Sequence, residues 1–488
     1  MVNAQWLKIK QLKKPHIATL LMALATSTTL CAQAGVSVPR LVVGIAIDQL
    51  RTDYLETFAP LYGEEGLKRL MREGVVYTSA QYASADVDRA SSIASLYTGT
   101  VPYNHGIVGE DWMDRQTMRP VRCVDDFKMR GVNTQETSSP QHLLVSTLGD
   151  ELKVATDGRA LVYSVAPTRE AAVLSAGHAA DYALWLNRQT GSWAGTTYYG
   201  SAPAATRLMM NTGVGNVNEW VSRTVSTLIQ YGSLGVDEMP DLLTVCYDAG
   251  VTSGYSTRAG QSLELQDVYV RLDAAIAGLL NEVDKKIGLD KTLFFITSTG
   301  YEPSEEVDLQ QYRIPTGTLQ INRCAALLNM YLMAIYGQGQ YVESYYGNQL
   351  YLNHKLIEQK QLNLTEVSKT CEDFLFQYSG VRDVYTSTRL TQGAWTPGIN
   401  RIRNAYHPKC SGDILIQVNP GWTLVNEDMA QSRFVRDSYF EFPLIFFGFG
   451  LKAEKVQTPV TIDVVAPTMA HFMRIRAPNA CSTAPLSF

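Results

Sequence analysis

Two buried strands of this 488-residue chain are predicted to end on an aspartate. The run LVVGIAID ends on Asp48, and the run LLTVCYD ends on Asp248. Nearly continuous apolar runs are typical of core strands in a parallel sheet, whose carboxyl ends share one edge. Carboxylates at such an edge can bind a metal ion, although a strand-end aspartate by itself is more often a cap or a loop residue.

The histidines add no independent evidence for a metal site. No two of them stand at i, i+4 or in an HxH pair, which are the spacings that place two imidazoles on one ion. A lone histidine is more often a structural hydrogen-bond donor or a surface residue than a ligand. The seven histidines are His16, His105, His142, His178, His354, His407 and His471.

Strands that alternate with helices predict an α/β fold with a doubly wound, mainly parallel sheet. We predict core strands at 40–49, 75–82, 160–166, 241–247 and 292–297, and a single helix at 54–74. The pattern changes at 319–392, where short strands and helices indicate a small α+β insertion. We therefore divide the chain into a signal peptide (1–34), a first core part (35–318), the insertion (319–392) and a second core part (393–488).

The N-terminus has the pattern of a secretory signal. Four lysines precede a short apolar run at 17–30, and Ala32-Gln33-Ala34 supplies a small-x-small cleavage site. We expect a periplasmic or otherwise exported protein with no transmembrane segment after signal removal. Lipoprotein anchoring through Cys31 is not expected, because the bulky Leu30 before it makes a poor lipobox.

Composition excludes one class of partner and leaves the cysteines open. The chain is 45% apolar and 18% charged, with a net charge of −5, so it lacks the basic footprint of a nucleic-acid-binding protein. Six cysteines remain outside the signal, and in an oxidising compartment their fifteen possible pairings cannot be told apart from sequence. They are Cys123, Cys246, Cys324, Cys371, Cys410 and Cys481.

Several motifs, in order along nearly the whole mature chain, resemble the alkaline phosphatase superfamily. The chain looks most like bacterial phosphate monoesterases related to the nucleotide pyrophosphatase/phosphodiesterases. The matching runs are VVGIAIDQLRTDYL (42–55), LYTGTVPYNHGIVGEDWMD (96–114), LSAGHAADYALW (174–185), LQDVYVRLDAAIAGLL (265–280), NQLYLNHKLI (348–357), GVRDVYTSTRL (380–390), RNAYHPKCSGDILI (403–416) and FPLIFFGFGLK (442–452).

The resemblance implies a two-zinc centre and a Thr or Ser nucleophile, but this chain departs from that pattern. Asp48 matches the first ligand. The nucleophile stands ten positions before the Gly of the TG turn, and counting back from Gly99 gives Arg89. Arginine has no oxygen with which to attack phosphorus and stays protonated. A misplaced gap would instead make Ser91 or Ser84 the nucleophile.

The remaining ligand positions are depleted as well. Asp248 is kept, but Thr252 replaces the histidine that follows it in the family pattern. The run that ends at Thr299 replaces an Asp-His pair, and no histidine occurs between Gly421 and Phe442. Glu302, Glu305 and Glu306 follow this run and could bind a hard cation, although a solvated acidic loop is the more common role of such a cluster.

The positions that hold phosphate in the family have also changed. Glu110 replaces an asparagine and would repel phosphate, while Thr168 and Glu170 replace a Lys-x-Arg pair, with Arg169 one position off. We hypothesise that Arg89 neutralises Asp48 and Asp248 in place of zinc.

From these losses we expect an exported pseudo-enzyme without a cofactor, the ancestral two-zinc site being lost. It would act as a binding or scaffold component of the cell envelope with an envelope protein partner. The alternative is a metal-dependent phosphate- or sulfate-ester hydrolase with a rebuilt site, acting through one metal or through Ser91.

Overall fold

A computed structural model describes residues 37–187, 189–200, 216–250, 258–300, 313–394, 396–435 and 441–488, and of these it describes 258–264 by their backbone alone. The predicted signal peptide, Thr252 and the glutamates at 302, 305 and 306 lie outside the described residues. Residues 39–488 form one compact unit. Among the described residues, no helix combines the length and the apolar character needed to cross a membrane.

The centre of the protein is a mixed sheet of eleven strands between helices, which confirms the predicted α/β class. Its strands are β1 (Leu41–Asp48), β2 (Val75–Gln81), β5 (Gly131–Val132), β6 (Val162–Ala166), β7 (Tyr182–Asn187), β8 (Ser192–Thr196), β9 (Asp241–Asp248), β10 (Thr292–Ser298), β18 (Phe442–Gly448), β19 (Glu454–Val456) and β20 (Val460–Thr461). They lie side by side in the order β19-β2-β18-β10-β1-β9-β6-β7-β8-β5, and β20 also pairs with β2.

The inner strands pair in parallel, as the continuous apolar runs predict, and antiparallel strands flank them. β1 pairs in parallel with both β9 and β10, and β6 pairs in parallel with β9. β18 is antiparallel to β10 and to β2. Every residue of β1 is buried, because helices cover both faces of the sheet at this point.

The helices of the described residues are α1 (Thr52–Thr57), α2 (Leu67–Glu73), α3 (Arg89–Thr98), α4 (Pro102–His105), α5 (Leu148–Ala155), α6 (Arg169–Ala176), α7 (Val217–Tyr231), α8 (Arg258–Lys286), α9 (Ile321–Tyr336), α10 (His354–Gln359), α11 (Leu364–Leu375), α12 (Ser387–Gln392), α13 (Pro397–Ala405) and α14 (Val465–Met473). The single helix predicted at 54–74 is wrong. The chain there forms α1, a short 3₁₀ turn and α2, because Pro60, Gly63 and Gly66 interrupt the helical run.

α3 lies at the carboxyl edge of the sheet and has well-defined ends. Asp88 caps its first turn by accepting a hydrogen bond from the Ser91 amide, and the Ser91 side chain bonds back to the Asp88 amide. Gly99 ends the helix with a φ of 64°, a left-handed conformation that glycine adopts without strain. This cap fixes where the first residue of the helix, Arg89, stands.

The predicted insertion contributes strands to two small sheets that are separate from the central one. β12 (Val342–Tyr346), β13 (Gln349–Leu352), β15 (Ile414–Val418) and β14 (Val381–Thr386) form one sheet. β11 (Gly317–Gln320), β16 (Trp422–Asn426) and β17 (Gln431–Phe434) form the other. Since β15, β16 and β17 follow the predicted boundary at 392, the second core part contributes strands to these sheets.

A further hairpin consists of β3 (Asp111–Asp114) and β4 (Arg119–Arg122).

Candidate functional site

The two predicted aspartates lie at the carboxyl edge of the sheet, in register with one another. Asp48 and Asp248 are directly paired positions at the ends of β1 and β9. The Asp48 side chain is 8% exposed, and its Oδ1 accepts a hydrogen bond of 2.7 Å from the Thr299 hydroxyl. Asp248 Oδ1 accepts from the Gly250 amide at 2.8 Å and from the Gln49 side chain at 3.2 Å. The two aspartates thus stand at neighbouring positions on one edge of the sheet.

Arg89 occupies the centre of the site and joins three carboxylates. Its Nε donates to Asp48 Oδ2. Its Nη1 donates to Glu110 Oε1 at 3.2 Å and to Glu170 Oε1 at 3.3 Å. Burial alone would lower the pKa of Arg89, but the negative charges of Asp48 and Glu170 outweigh burial and raise it. The guanidinium is therefore a permanent positive charge, and we refer to Arg89, Asp48, Glu110 and Glu170 as the arginine–carboxylate cluster.

Glu110 is the member of this cluster that titrates near neutrality. Burial, together with the charges of Glu170 and Asp88, raises its pKa to about 7, and the attraction of Arg89 offsets only part of this rise. The Glu110 side chain is 41% exposed, against 14% for Glu170. An accessible carboxyl group that titrates near pH 7 is suited to transfer protons.

Asp88 holds the backbone at Glu110 against the start of α3. Its Oδ2 accepts the Glu110 amide at 2.5 Å, while its Oδ1 accepts the Ser91 amide at 2.9 Å. Burial raises the pKa of Asp88, although the Ser91 bonds pull it in the opposite direction. Sequence analysis missed this residue, which an Asp-x-x-Ser capping pattern before an apolar helix could have identified.

Arg169, next to the former phosphate positions, points away from the cluster. It is 6% exposed, its Nη2 lies 2.9 Å from Asp125 Oδ1, and its Nη1 bonds to Ser138. Thr168 is the N-cap residue of α6, one position before Arg169. Of the two residues that replace the Lys-x-Arg pair, only Glu170 has a described contact to Arg89.

The serine alternatives for the nucleophile are involved in local structure. Ser91 is 1% exposed, and its Oγ donates to Asp88 Oδ1 at 2.8 Å. Ser84 is 2% exposed. Neither hydroxyl is therefore accessible to an ester bound from solvent.

A contact between Ser95 and His105 is also structural. The Ile107 amide donates to His105 Nδ1, so Nε2 carries the proton and donates to Ser95 Oγ at 3.0 Å. Burial lowers the pKa of His105 to about 3. A histidine in this tautomer cannot remove the serine proton, because its Nε2 is a donor.

Other histidines join elements of the fold instead of contacting the cluster. His178 contacts Asp150 and the Leu143 carbonyl, each at 3.0 Å, and these bonds raise its pKa despite burial. His354 Nε2 lies 2.9 Å from Asp413. Both histidines therefore link segments that are distant in the chain.

The described residues do not fit a two-zinc centre. Both oxygens of Asp48 are taken, one by Arg89 and the other by Thr299. Arg89 also places a positive charge where the nucleophile would stand. Across 37–187, 189–200, 216–250, 258–300, 313–394, 396–435 and 441–488, no three His, Cys, Asp or Glu side chains are grouped to hold a metal ion. All six cysteines in these ranges are free thiols.

The fold and the position of the site at the sheet edge define a member of the alkaline phosphatase superfamily. The structure superimposes on the crystal structure of wild-type alkaline phosphatase PafA with a TM-score of 0.80 at 26% identity, covering 93% of this chain and 99% of that one. A family model for type I phosphodiesterase / nucleotide pyrophosphatase matches residues 42–440. The chain belongs to that family.

Two relatives match over almost their whole length. The chain is 26% identical to alkaline phosphatase PafA of Elizabethkingia meningoseptica over 96% of this chain and 98% of the relative. It is also 26% identical to alkaline phosphatase PhoV of Synechococcus elongatus, over 90% and 91%. The predicted family resemblance is confirmed.

These comparisons overturn one prediction from the sequence. We expected a chain that is not an enzyme, and that expectation is wrong: the relatives matched over nearly the whole chain are named as hydrolytic enzymes. The loss of the expected nucleophile and ligands does not by itself mean loss of activity. It shows only that the familiar residues are replaced, since a changed set of side chains can support hydrolysis in the same fold.

Proposed function

We propose that this protein is a phosphate-ester hydrolase whose catalytic site is rebuilt around the arginine–carboxylate cluster. Its membership of the family and its full-length similarity to alkaline phosphatases support hydrolysis of phosphate esters. The observation that carries the rebuilt site is Glu110, an accessible carboxyl group with a pKa raised to about 7.

Glu110 acts as the general acid. Its protonated carboxyl group gives a proton to the leaving-group oxygen as the P–O bond breaks. A water molecule attacks phosphorus, forming the new P–O bond and releasing its own proton to solvent. The Glu110 carboxylate then regains a proton from solvent, which restores the starting state. Arg89 acts as a positioning residue, because its Nη1 holds the Glu110 carboxyl group at the cluster.

Protonated Glu110 also lowers the electrostatic cost of binding an anion. With Glu110 neutral, the cluster carries two carboxylates against one guanidinium, and with Glu110 ionised it carries three. Both effects make turnover fall as pH rises through about 7.

We further propose that the site works without the two zinc ions of the family pattern.

Turnover of an aryl phosphate, a phosphodiester and an aryl sulfate by the purified protein at pH 5–9, with bound zinc measured by elemental analysis, tests the proposal. We expect hydrolysis of a phosphate ester that declines above pH 7 and is lost in Glu110→Gln. The exposed Glu64→Gln serves as the matched control and should keep full activity. No turnover of the three esters, or unchanged turnover in Glu110→Gln, would overturn the proposal.

The zinc content of the purified protein distinguishes hydrolysis without a metal ion from hydrolysis at a retained metal centre. Substoichiometric zinc with activity that survives a chelator is the expected result. Near-stoichiometric zinc with turnover abolished in Asp48→Ala would show that a metal centre has been retained. An aryl sulfate turned over faster than the phosphates would identify the protein as a sulfate-ester hydrolase.

We also propose that the protein is exported and processed near Ala34, as the basic and apolar N-terminal pattern suggests. N-terminal sequencing of protein recovered from a periplasmic fraction tests this, and an intact Met1 would contradict it. Co-purification from the same fraction tests the envelope partner that we infer.

A further inference from the structure

The helix α9 is apolar on its exposed face as well as on its buried one. Its inward residues, among them Cys324, Leu328 and Leu332, are buried in the hydrophobic core of the predicted insertion. Its outward residues are exposed, and we call six of them the α9 stripe: Ala326, Leu327, Met330, Tyr331, Ala334 and Ile335. No charged residue occurs between Cys324 and Tyr341. A helix that is apolar on all sides is normally buried on all sides, so an exposed apolar half indicates a surface that another molecule covers.

Contacts inside the insertion hold the α9 stripe in place. The Tyr331 ring stacks on Phe374 of α11, with the ring centroids 4.7 Å apart. Asn329, beside the stripe, accepts hydrogen bonds from the Tyr341 and Val342 amides through its side-chain oxygen, at 2.7 and 3.2 Å. The helix and its largest exposed ring are therefore ordered before any partner arrives. A preformed surface of this kind loses little side-chain freedom when it is covered, which favours association.

The large side chains of the α9 stripe expose enough apolar surface for a dimer interface. Leu327, Met330, Tyr331 and Ile335 are 42, 53, 39 and 48% exposed. At roughly 200 Å² for each large side chain, they and the two alanines present about 400 Å², the size of the main apolar patch on a typical monomer. A homodimer interface that is about 65% apolar would then bury roughly 600 Å² on each chain, which reaches the lower end of the range for specific interfaces.

The α9 stripe consists of a ridge beside a groove, a shape that fits a second copy of itself. The ridge is a row of large side chains at a spacing of four residues, namely Leu327, Tyr331 and Ile335. The adjacent row begins and ends with a small side chain and consists of Ala326, Met330 and Ala334. Two helices pack most often by interdigitating rows of this spacing. A two-fold axis near Met330 would place the ridge of each helix over the alanines of the other.

The charges around the α9 stripe argue against an anionic membrane as the partner. The neighbouring helix α11 carries Glu366, Glu372 and Asp373 against one lysine, Lys369. Proteins that bind anionic lipid surfaces place clusters of Lys and Arg beside the apolar anchor instead. The stripe itself has no charge with which to select a charged peptide. It also has no like charges that would repel each other across a two-fold axis, which favours a second copy.

We propose that the α9 stripe is the interface of a symmetric dimer, in which it packs against the same stripe of a second copy of this chain. The two α9 helices lie antiparallel about a two-fold axis near Met330. Each helix is then covered on both faces, by its own insertion on one side and by the second copy on the other. The dimer does not depend on the proposed hydrolysis, because none of the residues of the arginine–carboxylate cluster belongs to the stripe.

Sedimentation equilibrium of the purified protein over a wide range of concentrations tests the proposal. We expect a mass that rises with concentration from that of the monomer to that of the dimer. Met330→Lys should raise the dissociation constant of the dimer at least about tenfold, because it places two like charges against each other at the axis. Met330→Leu should dimerise like wild type. The matched control is Val154→Lys, because Val154 is an apolar residue of α5 that is 74% exposed and lies outside the stripe.

A cross-link locates the interface even if the lysine variant folds poorly. In the proposed dimer position 330 meets its own copy, so a short bis-maleimide should join two chains of Met330→Cys and should not join two chains of Val154→Cys. A protein that stays monomeric at every concentration would overturn the proposal, as would a folded Met330→Lys that dimerises like wild type or a Met330→Cys that does not cross-link. A monomer that co-sediments with phosphatidylcholine vesicles and loses this binding in Met330→Lys would assign the stripe to a lipid surface and overturn the dimer.

Discussion

At the scale of single residues, Arg89 joins three carboxylates into one charge network. One guanidinium, 15% exposed, contacts Asp48, Glu110 and Glu170. Three changes that each looked like a loss in the sequence thus join one network, in which a single positive charge is shared among the carboxylates. The sequence predicted that Arg89 neutralises Asp48, and the structure adds Glu110 and Glu170 as its further partners.

Replacing Arg89 by Ala should destabilise the protein strongly. The substitution leaves Asp48 and Glu170 buried without their counter-charge, and losing one partner of a buried ion pair costs about 3–5 kcal/mol. Urea denaturation at pH 7 measures the change in the free energy of unfolding. The matched control is Arg72→Ala, whose side chain is 52% exposed and whose pairs lie on the surface. Equal effects of the two substitutions would contradict the proposed role of Arg89.

Glu110 makes stability depend on pH in a defined direction. Its pKa is raised in the folded protein to about 7 from an ordinary value of 4.5, so the folded state binds this proton more tightly than the unfolded state. The stabilisation is fully present below about pH 4.5 and is lost as pH rises to about 7. Glu110→Gln cannot titrate and should remove this part of the pH dependence.

Free energies of unfolding measured between pH 4 and pH 8 for wild type and Glu110→Gln test this expectation. The difference between the two proteins isolates Glu110 from other groups that titrate in the window, such as Asp241, whose burial raises its pKa to about 6. A difference that stays constant across the range would show that Glu110 does not titrate there.

At the scale of elements, the cap of α3 determines where the cluster can form. Asp88 accepts from the Ser91 amide inside the helix and from the Glu110 amide outside it. One carboxylate therefore fixes both the first turn that presents Arg89 and the backbone that presents Glu110. The third residue of the arginine–carboxylate cluster, Asp48, comes from the edge of the sheet, because it is the last residue of β1.

Asp88→Ala should remove both hydrogen bonds at once. Loss of an N-cap costs about 1 kcal/mol, with a range of about 0.5–2, and the freed Glu110 amide adds to this. The more conservative Asp88→Asn retains one acceptor oxygen and should lie between Asp88→Ala and wild type. Thermal and urea denaturation measure the order. If Asp88→Asn were as destabilised as Asp88→Ala, the carboxylate charge and not the cap would be the source of stability.

At the scale of the whole molecule, a buried aspartate links the predicted insertion to the core. Asp413, with a 3% exposed side chain, accepts bonds from Arg115 next to the β3–β4 hairpin, from the Leu352 amide and from His354. Arg115 also donates to the Ser411 carbonyl at 2.7 Å and lies over the Tyr351 ring. Burial would raise the pKa of Asp413, but His354 and Arg115 together lower it.

Arg115→Ala should loosen this link. Hydrogen bonds to a charged group contribute about 1.5–3 kcal/mol, and Arg115 makes two to the Asp413 carboxylate. We expect faster hydrogen exchange at the Leu352 amide and a lower free energy of unfolding. Arg115→Lys keeps the charge but loses the planar fork and should recover only part of the stability. Unchanged exchange at Leu352 would exclude the proposed role of Arg115.

The sequence alone determined the class of fold and the location of the site. Continuous apolar runs that end on Asp48 and Asp248 predict buried strands of a parallel sheet, and the TGTVPYNHG turn after α3 carries the family resemblance. Both signals are local, because they depend on neighbouring residues and on the period of each element. The resemblance to the family identified Arg89, Glu110 and Glu170 as replacements.

Only the tertiary structure decided what these replacements do together. Arg89, Glu110 and Glu170 are separated by 21 and 60 residues in the chain, and no local pattern relates their side chains. The chain brings them within hydrogen-bond distance, and burial then raises the pKa of Glu110 to about 7. Contacts and burial of this kind arise from packing between distant segments, so the sequence showed which residues had changed but not that the changed residues form one charged cluster.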